Sequence, residues 1–373
     1  MKIVVPAETR VGENRVAIVP DLVGKFLALG LEVVVESDAG VAAGASDAAY
    51  VNAGATITRR IAAELKDADL VATVRPLPAA KAKYLKAGAV TVSFLSPSTD
   101  KTEIQALAKA GATALSFELV PRISRAQSMD ALTSQALCAG YRAALVGAEL
   151  LPKFFPMLMT AAGTVQPANV VVLGAGVAGL QAIATAKRLG AKVSAYDVRP
   201  ASADEVRSMG ATFINLELEA LEGGGGYARE MTAERAAQQR ELLTPFISAA
   251  DVVITTAAVP GRKAPTLVTA EMVKTMKAGS VVVDLAAETG GNVEGSVAGE
   301  IIEVEAADGY VWQWGGLDVP SQLPVHASRL YAANIHALVS LFVKDGAGAP
   351  LVEDEIIDGC AVVLRGKIRK EVA

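Results

Sequence analysis

Apolar and polar positions along the chain follow two alternating rhythms. Short runs rich in valine are apolar at successive positions, and between them alanine and leucine recur at helical spacing. A strand apolar at every position suits burial on both faces, and Ala-rich helices suit the crossovers, so the pattern predicts parallel sheets. Towards the N-terminus the predicted strands are residues 3–5, 32–36, 70–74, 89–94 and 113–117. Helices fit between them at 21–29, 47–53, 79–87 and 101–110, and a long helix is expected over 128–150, ending before Pro152.

A second series starts at Asn169, with predicted strands at 170–173, 192–196, 212–215, 251–255 and 280–284. Its helices are predicted at 178–189, 203–209, 233–247 and 269–276, followed by a helical stretch over 324–343. The expected fold class is α/β, with two Rossmann-like open parallel-sheet domains separated by a cleft. One domain comprises residues 1–127 completed by a returning 325–373 segment; the other comprises 128–324 and includes the linking helix. Four glycines at 223–226 precede Tyr227 in a long connection, where a mobile functional loop is expected.

Composition narrows the classes. A mean hydropathy of +0.37 raises the question of a membrane span, and residues 154–186 carry no Asp, Glu, Lys or Arg. Pro156, Gly163, Gln166, Pro167 and Asn169 interrupt that stretch before it reaches the ~20 apolar residues a spanning helix needs. The opening Met1-Lys2-Ile3-Val4-Val5-Pro6 lacks the apolar core of a signal peptide, so a soluble protein is expected. The net charge of −5 comes without any basic stripe, which argues against nucleic acid. Cys138 and Cys360 are too few for a disulfide framework or a thiolate metal site, and a reducing, cytosolic setting is the default. His326 and His336 are surrounded by no metal-ligand spacing, so no metal is expected.

Candidate chemistry centres on Gly174-Ala175-Gly176-Val177-Ala178-Gly179. The motif alone is weak, but an apolar strand precedes it and a helix follows, the context a dinucleotide site requires. Gly174 permits the tight turn, Gly176 leaves room for a pyrophosphate, and Gly179 lets helix and strand approach. First-turn amides and the positive helix end then meet the phosphates. Asp197, with Val198 and Arg199 behind it, ends the next strand, where a carboxylate accepts hydrogen bonds from the adenosine ribose and repels a 2′-phosphate. NAD(H) is the expected cofactor, with Arg199 the feature that would suit NADP(H) instead.

A more specific signal is Pro121-Arg122-Ile123-Ser124-Arg125-Ala126-Gln127-Ser128-Met129-Asp130-Ala131-Leu132-Thr133. It resembles the NAD(H)-binding component of proton-translocating NAD(P) transhydrogenases. The opening stretch through Glu8 and Arg15, Tyr196-Asp197-Val198-Arg199-Pro200, the Tyr227 region, the stretch from Gly261 to Pro265 and the Asp284 strand end are similar to the same family, collinearly. The resemblance implies a peripheral homodimer that docks on an NADP(H)-binding component and a transmembrane component. It implies direct hydride transfer between the two nicotinamides, and a cytoplasmic location at the inner membrane through those partners. It also implies that Gln127 holds the nicotinamide carboxamide, that Arg122 and Asp130 orient the nicotinamide end, and that Tyr227 closes over the nucleotide. Thr133 stands where that family usually has Ser, and either hydroxyl can hydrogen-bond.

Without the resemblance, Arg122 and Arg125 read as solvated charges at a helix start, Asp130 as a dipole-complementing acid, and Tyr227 as a loop anchor. Two other functions fit some features of the sequence. One is an NAD-dependent alanine dehydrogenase, which needs a positioned acid/base. Its His position reads here as Leu95 and its catalytic Asp position as Glu288, while Arg15 and Arg75 fall where it binds a substrate carboxylate. The other is a nucleotide-binding regulatory subunit without chemistry of its own.

Overall fold

The computed structural model describes residues 1–97, 100–216, 232–258, 263–348 and 354–369. The chain divides into two units, one made of Met1–Gln135 with Pro320–Ala373 and the other of Ala136–Val319.

In the first unit an eight-stranded sheet runs in the order Lys367–Ile368, Ala361–Leu364, Thr113–Ser116, Val90–Ser93, Leu70–Ala72, Lys2–Val5, Glu32–Glu36, Thr56–Thr58. Six of these strands are parallel, and the two C-terminal ones add on antiparallel. Successive side chains in a strand point to opposite faces. Ile3, Val5, Val33 and Val35 therefore fill one apolar cluster, while Val4 and Val34 fill another on the opposite side. Two cores on one sheet are why Lys2–Val5 and Glu32–Glu36 carry no polar positions in their centres.

The second unit repeats the arrangement in a seven-stranded sheet, Thr212–Phe213, Lys192–Tyr196, Asn169–Leu173, Val252–Thr255, Val281–Asp284, Gly309–Gly315, Ile301–Ala306. All are parallel except Ile301–Ala306, an antiparallel edge whose outward Glu303 and Glu305 keep it from pairing further. Val170 and Val172 face one core, Val171 and Leu173 the other. In both sheets the strand order reverses beside the first strand, the place where open α/β sheets bind ligands.

Both sheets are thus largely parallel, with antiparallel edges that valine-run reasoning does not predict. The long helix spans Ala131–Leu150 rather than starting at residue 128. Ser124–Met129 is a 3-10 helix, and the side chain of Asp130 accepts the Thr133 N–H at 2.9 Å, which places the helix start behind an aspartate cap. The predicted helix at 79–87 shrinks to Ala79–Ala82, and the one at 324–343 ends at Val339. A separate two-stranded hairpin, Leu158–Thr160 with Gly163–Val165, accounts for some of the uncharged stretch.

Candidate functional site

The glycine turn follows Asn169–Leu173 directly, and its helix, Val177–Arg188, has Gly176 at its N-cap with no side chain capping the first turn. Gly174 has φ of 101°, a left-handed backbone that favours glycine. A Cβ on Gly179 would stand 1.9 Å from the Gly174 carbonyl oxygen, so only glycine lets helix and strand close. Gly176 differs, because a Cβ there would meet no atom of the described residues within 4 Å. With no side-chain cap among the described residues, the first turn leaves its amides for an anion such as a pyrophosphate. The residues present fit a dinucleotide.

Asp197 stands at the end of Lys192–Tyr196 and ties that strand to the turn, accepting the Ala175 N–H at 2.8 Å. Thr256 Oγ1 donates to the Gly174 carbonyl at 3.1 Å and holds the turn from the next strand. Asp284, fully buried, accepts from Thr255 Oγ1 and from the N–H groups of Ala286, Asn292 and Val293. Asn292 in turn spans Ala257 and Pro265 on the loop beyond Val252–Thr255. Sequence reasoning missed this loop anchor, although an aspartate ending a valine run is its visible mark. Gly223–Gly226, Tyr227 and Gly261 lie outside the described residues.

In the first unit, Arg122, Gln127 and Thr133 are exposed. Asp130 does more than cap, since its second oxygen accepts the Thr133 hydroxyl at 2.6 Å. The segment is fixed from two sides. Asn334 Nδ2 donates to the Ser128 carbonyl at 2.8 Å, and Arg125 makes a two-pronged contact with Asp354 at 2.7 and 3.0 Å. That hydrogen bond raises the Arg125 pKa and lowers that of Asp354. Arg125 is thus a strut to the C-terminal segment.

A buried ionic cluster lies nearby in the chain's first strand–loop. Arg15 donates Nε and Nη2 to the two oxygens of Glu13, at 2.7 and 2.6 Å, and Nη1 to Gln135 at 2.8 Å. Arg75 Nε reaches the same Glu13 at 2.8 Å. Burial alone would raise the Glu13 pKa, but the Arg15 hydrogen bond and the two positive charges outweigh it and hold the carboxyl at about 2. Glu8 shows the opposite balance. Burial pushes it to about 7 despite N–H groups from Val74 and Arg75 at 2.6 and 3.3 Å.

Comparison with known proteins places these features in one lineage. The pattern "Alanine dehydrogenase/PNT, N-terminal domain" matches residues 4–139, and "Alanine dehydrogenase/PNT, C-terminal domain" matches residues 143–371. The chain belongs to the alanine dehydrogenase/PNT family. Within the family it is 47% identical to the first portion of the NAD(P) transhydrogenase alpha subunit of Rhodospirillum rubrum, over 99% of this chain and 97% of that one. Alanine dehydrogenase of Bacillus subtilis is more distant, at 35% over 79% of this chain and 72% of its own. A solved transhydrogenase from Sinorhizobium meliloti superposes with a TM-score of 0.86 at 41% identity, covering 99% of this chain and 98% of that one.

Leu95 is fully buried in an apolar cluster, so a side chain there cannot reach a substrate. The next residue, Ser96, turns the chain with φ of 42°, and Glu118 clamps the Leu95 and Ser96 amides at 3.1 and 2.9 Å. Glu288 accepts the Asp318 N–H at 2.9 Å. His336 packs edge-on against Phe26, where burial lowers its pKa.

Proposed function

We propose that this chain is the NAD(H)-binding component of a proton-translocating NAD(P) transhydrogenase, the counterpart of the first portion of the alpha subunit. The observation that carries the reading is the full-length similarity at 47% identity to that component in Rhodospirillum rubrum. On this reading Gly174 to Gly179 receive the pyrophosphate on first-turn amides, and Asp197 accepts the adenosine ribose hydroxyls. Arg122, Gln127, Asp130 and Thr133 orient the nicotinamide end, Gln127 through the carboxamide, and Tyr227 covers the nucleotide. Family resemblance supports these four roles and that of Tyr227.

Bound NAD(H) supplies or receives the hydride, and NADP(H) on a partner component is the other end of the transfer. Exchange between two nicotinamides moves no proton at the reacting carbons, so the protein has to position rings and exclude water rather than supply an acid or base. The apolar burial of Leu95 agrees with such a reaction. So does the engagement of Arg15 and Arg75 by Glu13, which sets both cations against an internal carboxylate instead of a substrate's.

Proton translocation is assigned to a transmembrane component, and no helix among the described residues is long and apolar enough to cross a membrane. We assign a cytoplasmic, peripheral position through those partners, and a homodimer. The hairpin supports self-association, since Met157, Leu158, Met159 and Val165 are exposed on it or beside it, Met159 at 77%.

The test is to mix the purified chain with an NADP(H)-binding component and follow hydride transfer between nucleotide analogues by stopped flow. Transfer is expected on mixing. Its absence at saturating nucleotide with a competent partner would overturn the reading, and NADH formation from alanine by the chain alone would favour the dehydrogenase.

A further inference from the structure

Hydride exchange between nicotinamides leaves the buried Glu13–Arg15–Arg75 cluster without a chemical task, yet its contacts lead on through the fold. Arg15 Nη1 donates to Gln135 Oε1 at 2.8 Å, and Gln135 Nε2 donates to Ser134 Oγ at 3.1 Å. Ser134 Oγ donates to Asn334 Oδ1 at 2.7 Å, and Asn334 Nδ2 donates to the Ser128 carbonyl at 2.8 Å. Four hydrogen bonds thus run from a guanidinium to the residue after Gln127.

The two ends fix the direction of this chain. A guanidinium only donates and a carbonyl only accepts, so Gln135 turns its oxygen to Arg15 and Asn334 turns its nitrogen to Ser128. Ser134, accepting from Gln135, has its one proton left for Asn334, with the Ala131 carbonyl at 3.1 Å as the competing acceptor. Every link therefore points the same way. Arg15, Gln135 and Asn334 are buried, where aligned hydrogen bonds polarise one another and are strengthened. The second amide proton of Gln135 goes to the Ala327 carbonyl at 3.1 Å and ties the chain to the helix Pro324–Val339.

The turn Ser124–Met129 is thereby held through a backbone carbonyl as well as by the buried Ala126 and Met129, while Gln127 stays exposed. We infer that Asn334 is a positioning residue for the nicotinamide end, and that Ser134 and Gln135 set it from the Arg15 cluster. The cluster keeps the ring-binding segment in place, which a reaction governed by ring placement needs more than it needs an acid or base. This role rests on the assignment of Gln127 to the nicotinamide carboxamide made above. The alternative is a brace for stability alone, whose loss lowers the melting temperature and leaves transfer untouched.

The experiment uses the whole chain and its Asn334→Asp, Gln135→Glu, Ser134→Ala and Ser134→Thr variants, with circular dichroism and melting to verify folding. Amide hydrogen exchange is measured without nucleotide, and hydride transfer with an NADP(H)-binding component at saturating nucleotide. Asn334→Asp keeps the acceptor for Ser134 and loses the donor to Ser128; Gln135→Glu keeps the acceptor for Arg15 and loses the donor to Ser134. Each is expected to speed exchange of the Ala126 and Asp130 amides, which bond to the Ile123 and Gln127 carbonyls, about tenfold. Each is also expected to slow transfer about tenfold while the NADH dissociation constant moves less than about threefold, because the pyrophosphate is held elsewhere. Ser134→Ala is expected to act in the same direction, and Ser134→Thr, which retains the hydroxyl, to restore both readouts. Combining Gln135→Glu with Asn334→Asp should add little, since one chain is broken only once. Wild-type transfer in Ser134→Ala and Asn334→Asp, additive losses in the double variant, or faster exchange with unchanged transfer overturns the inference. Absence of transfer with the wild-type chain instead refutes the function on which it rests, which separates the two failures.

Discussion

The two units use one sheet order and finish it differently. In the second, the first strand ends in Gly174, the Ala175 N–H bonds to the acid closing the next strand, Asp197, and a helix starts at Val177. In the first, Lys2–Val5 ends in Pro6, the Ala7 N–H bonds to the acid closing the next strand, Glu36, at 2.8 Å, and no helix starts until Pro20. The strand-to-acid clasp is common to both. Internal carboxylates meet strand-end amides in both units, Asp284 taking that of Ala286 in the second. In the first, Glu8 takes those of Val74 and Arg75, and Glu118 takes those of Leu95 and Ser96. What differs is the turn directly after the first strand. After its first strand the second unit has a helix start, Val177, whose first turn no side chain among the described residues caps, and a Gly176 with room for a Cβ. A shared topology provides the position for a ligand, and local chemistry decides whether an anion from outside is received there.

The largest effect expected from breaking this contrast is in the first unit. Glu13→Gln removes the partner of two arginines, one of them buried, and should cost about 3 kcal/mol in denaturant titration, because breaking a buried pair leaves charge uncompensated. With its pKa lowered from 4.5 to about 2, Glu13 contributes stability that is present above about pH 4.5 and lost as pH falls towards 2. The gap between variant and wild type should therefore close in acid. A gap independent of pH would show that the carboxylate's charge is not what holds Arg15.

Gly176→Ala tests the other side of the comparison. Its Cβ meets nothing among the described residues, so the melting temperature should hold while NADH affinity falls at least tenfold, about 1.4 kcal/mol. Equal affinity would mean that phosphate does not approach there. The smallest effect is expected at Glu8. A carboxyl raised to about 7 contributes stability that is complete below 4.5 and lost as pH rises through 7, the reverse of Glu13. Wild type should lose about 2 °C more of its melting temperature between roughly pH 5 and 8 than Glu8→Gln does. Matching slopes would argue that Glu8 is not the titrating group.

The sequence made the central strands legible because burial on both faces leaves no choice but continuous apolar runs, as in Val170 to Leu173. The glycine turn was legible for a related reason, since a Cβ would clash with backbone at Gly179 and with the Thr256 hydroxyl at Gly174. Edge elements were not. Ile301–Ala306 does alternate apolar and acidic residues in the strand rhythm, but its antiparallel return through Asp308 and Gly309 breaks the strand–helix alternation that organises the rest of the chain. The Glu13–Arg15–Arg75–Gln135 cluster was illegible for another reason: it joins residues up to 120 positions apart, and only the tertiary fold makes them partners. The burial of Leu95 was illegible as well, because an apolar strand end looks alike whether its last residue faces core or solvent. Asp130 was read as a dipole-complementing acid, and its bond to the Thr133 amide makes it a cap as well.

On the proposed function, the hydride leaving NADH on this chain passes straight to NADP on another protein. The most direct measurement uses NADH deuterated at C4 in the transferred position, mixed with this chain, an NADP(H)-binding component and NADP+, with the label followed by mass spectrometry. The account predicts deuterium in the NADPH formed and none released to water. Label appearing in solvent, or NADPH formed without it, would contradict direct transfer.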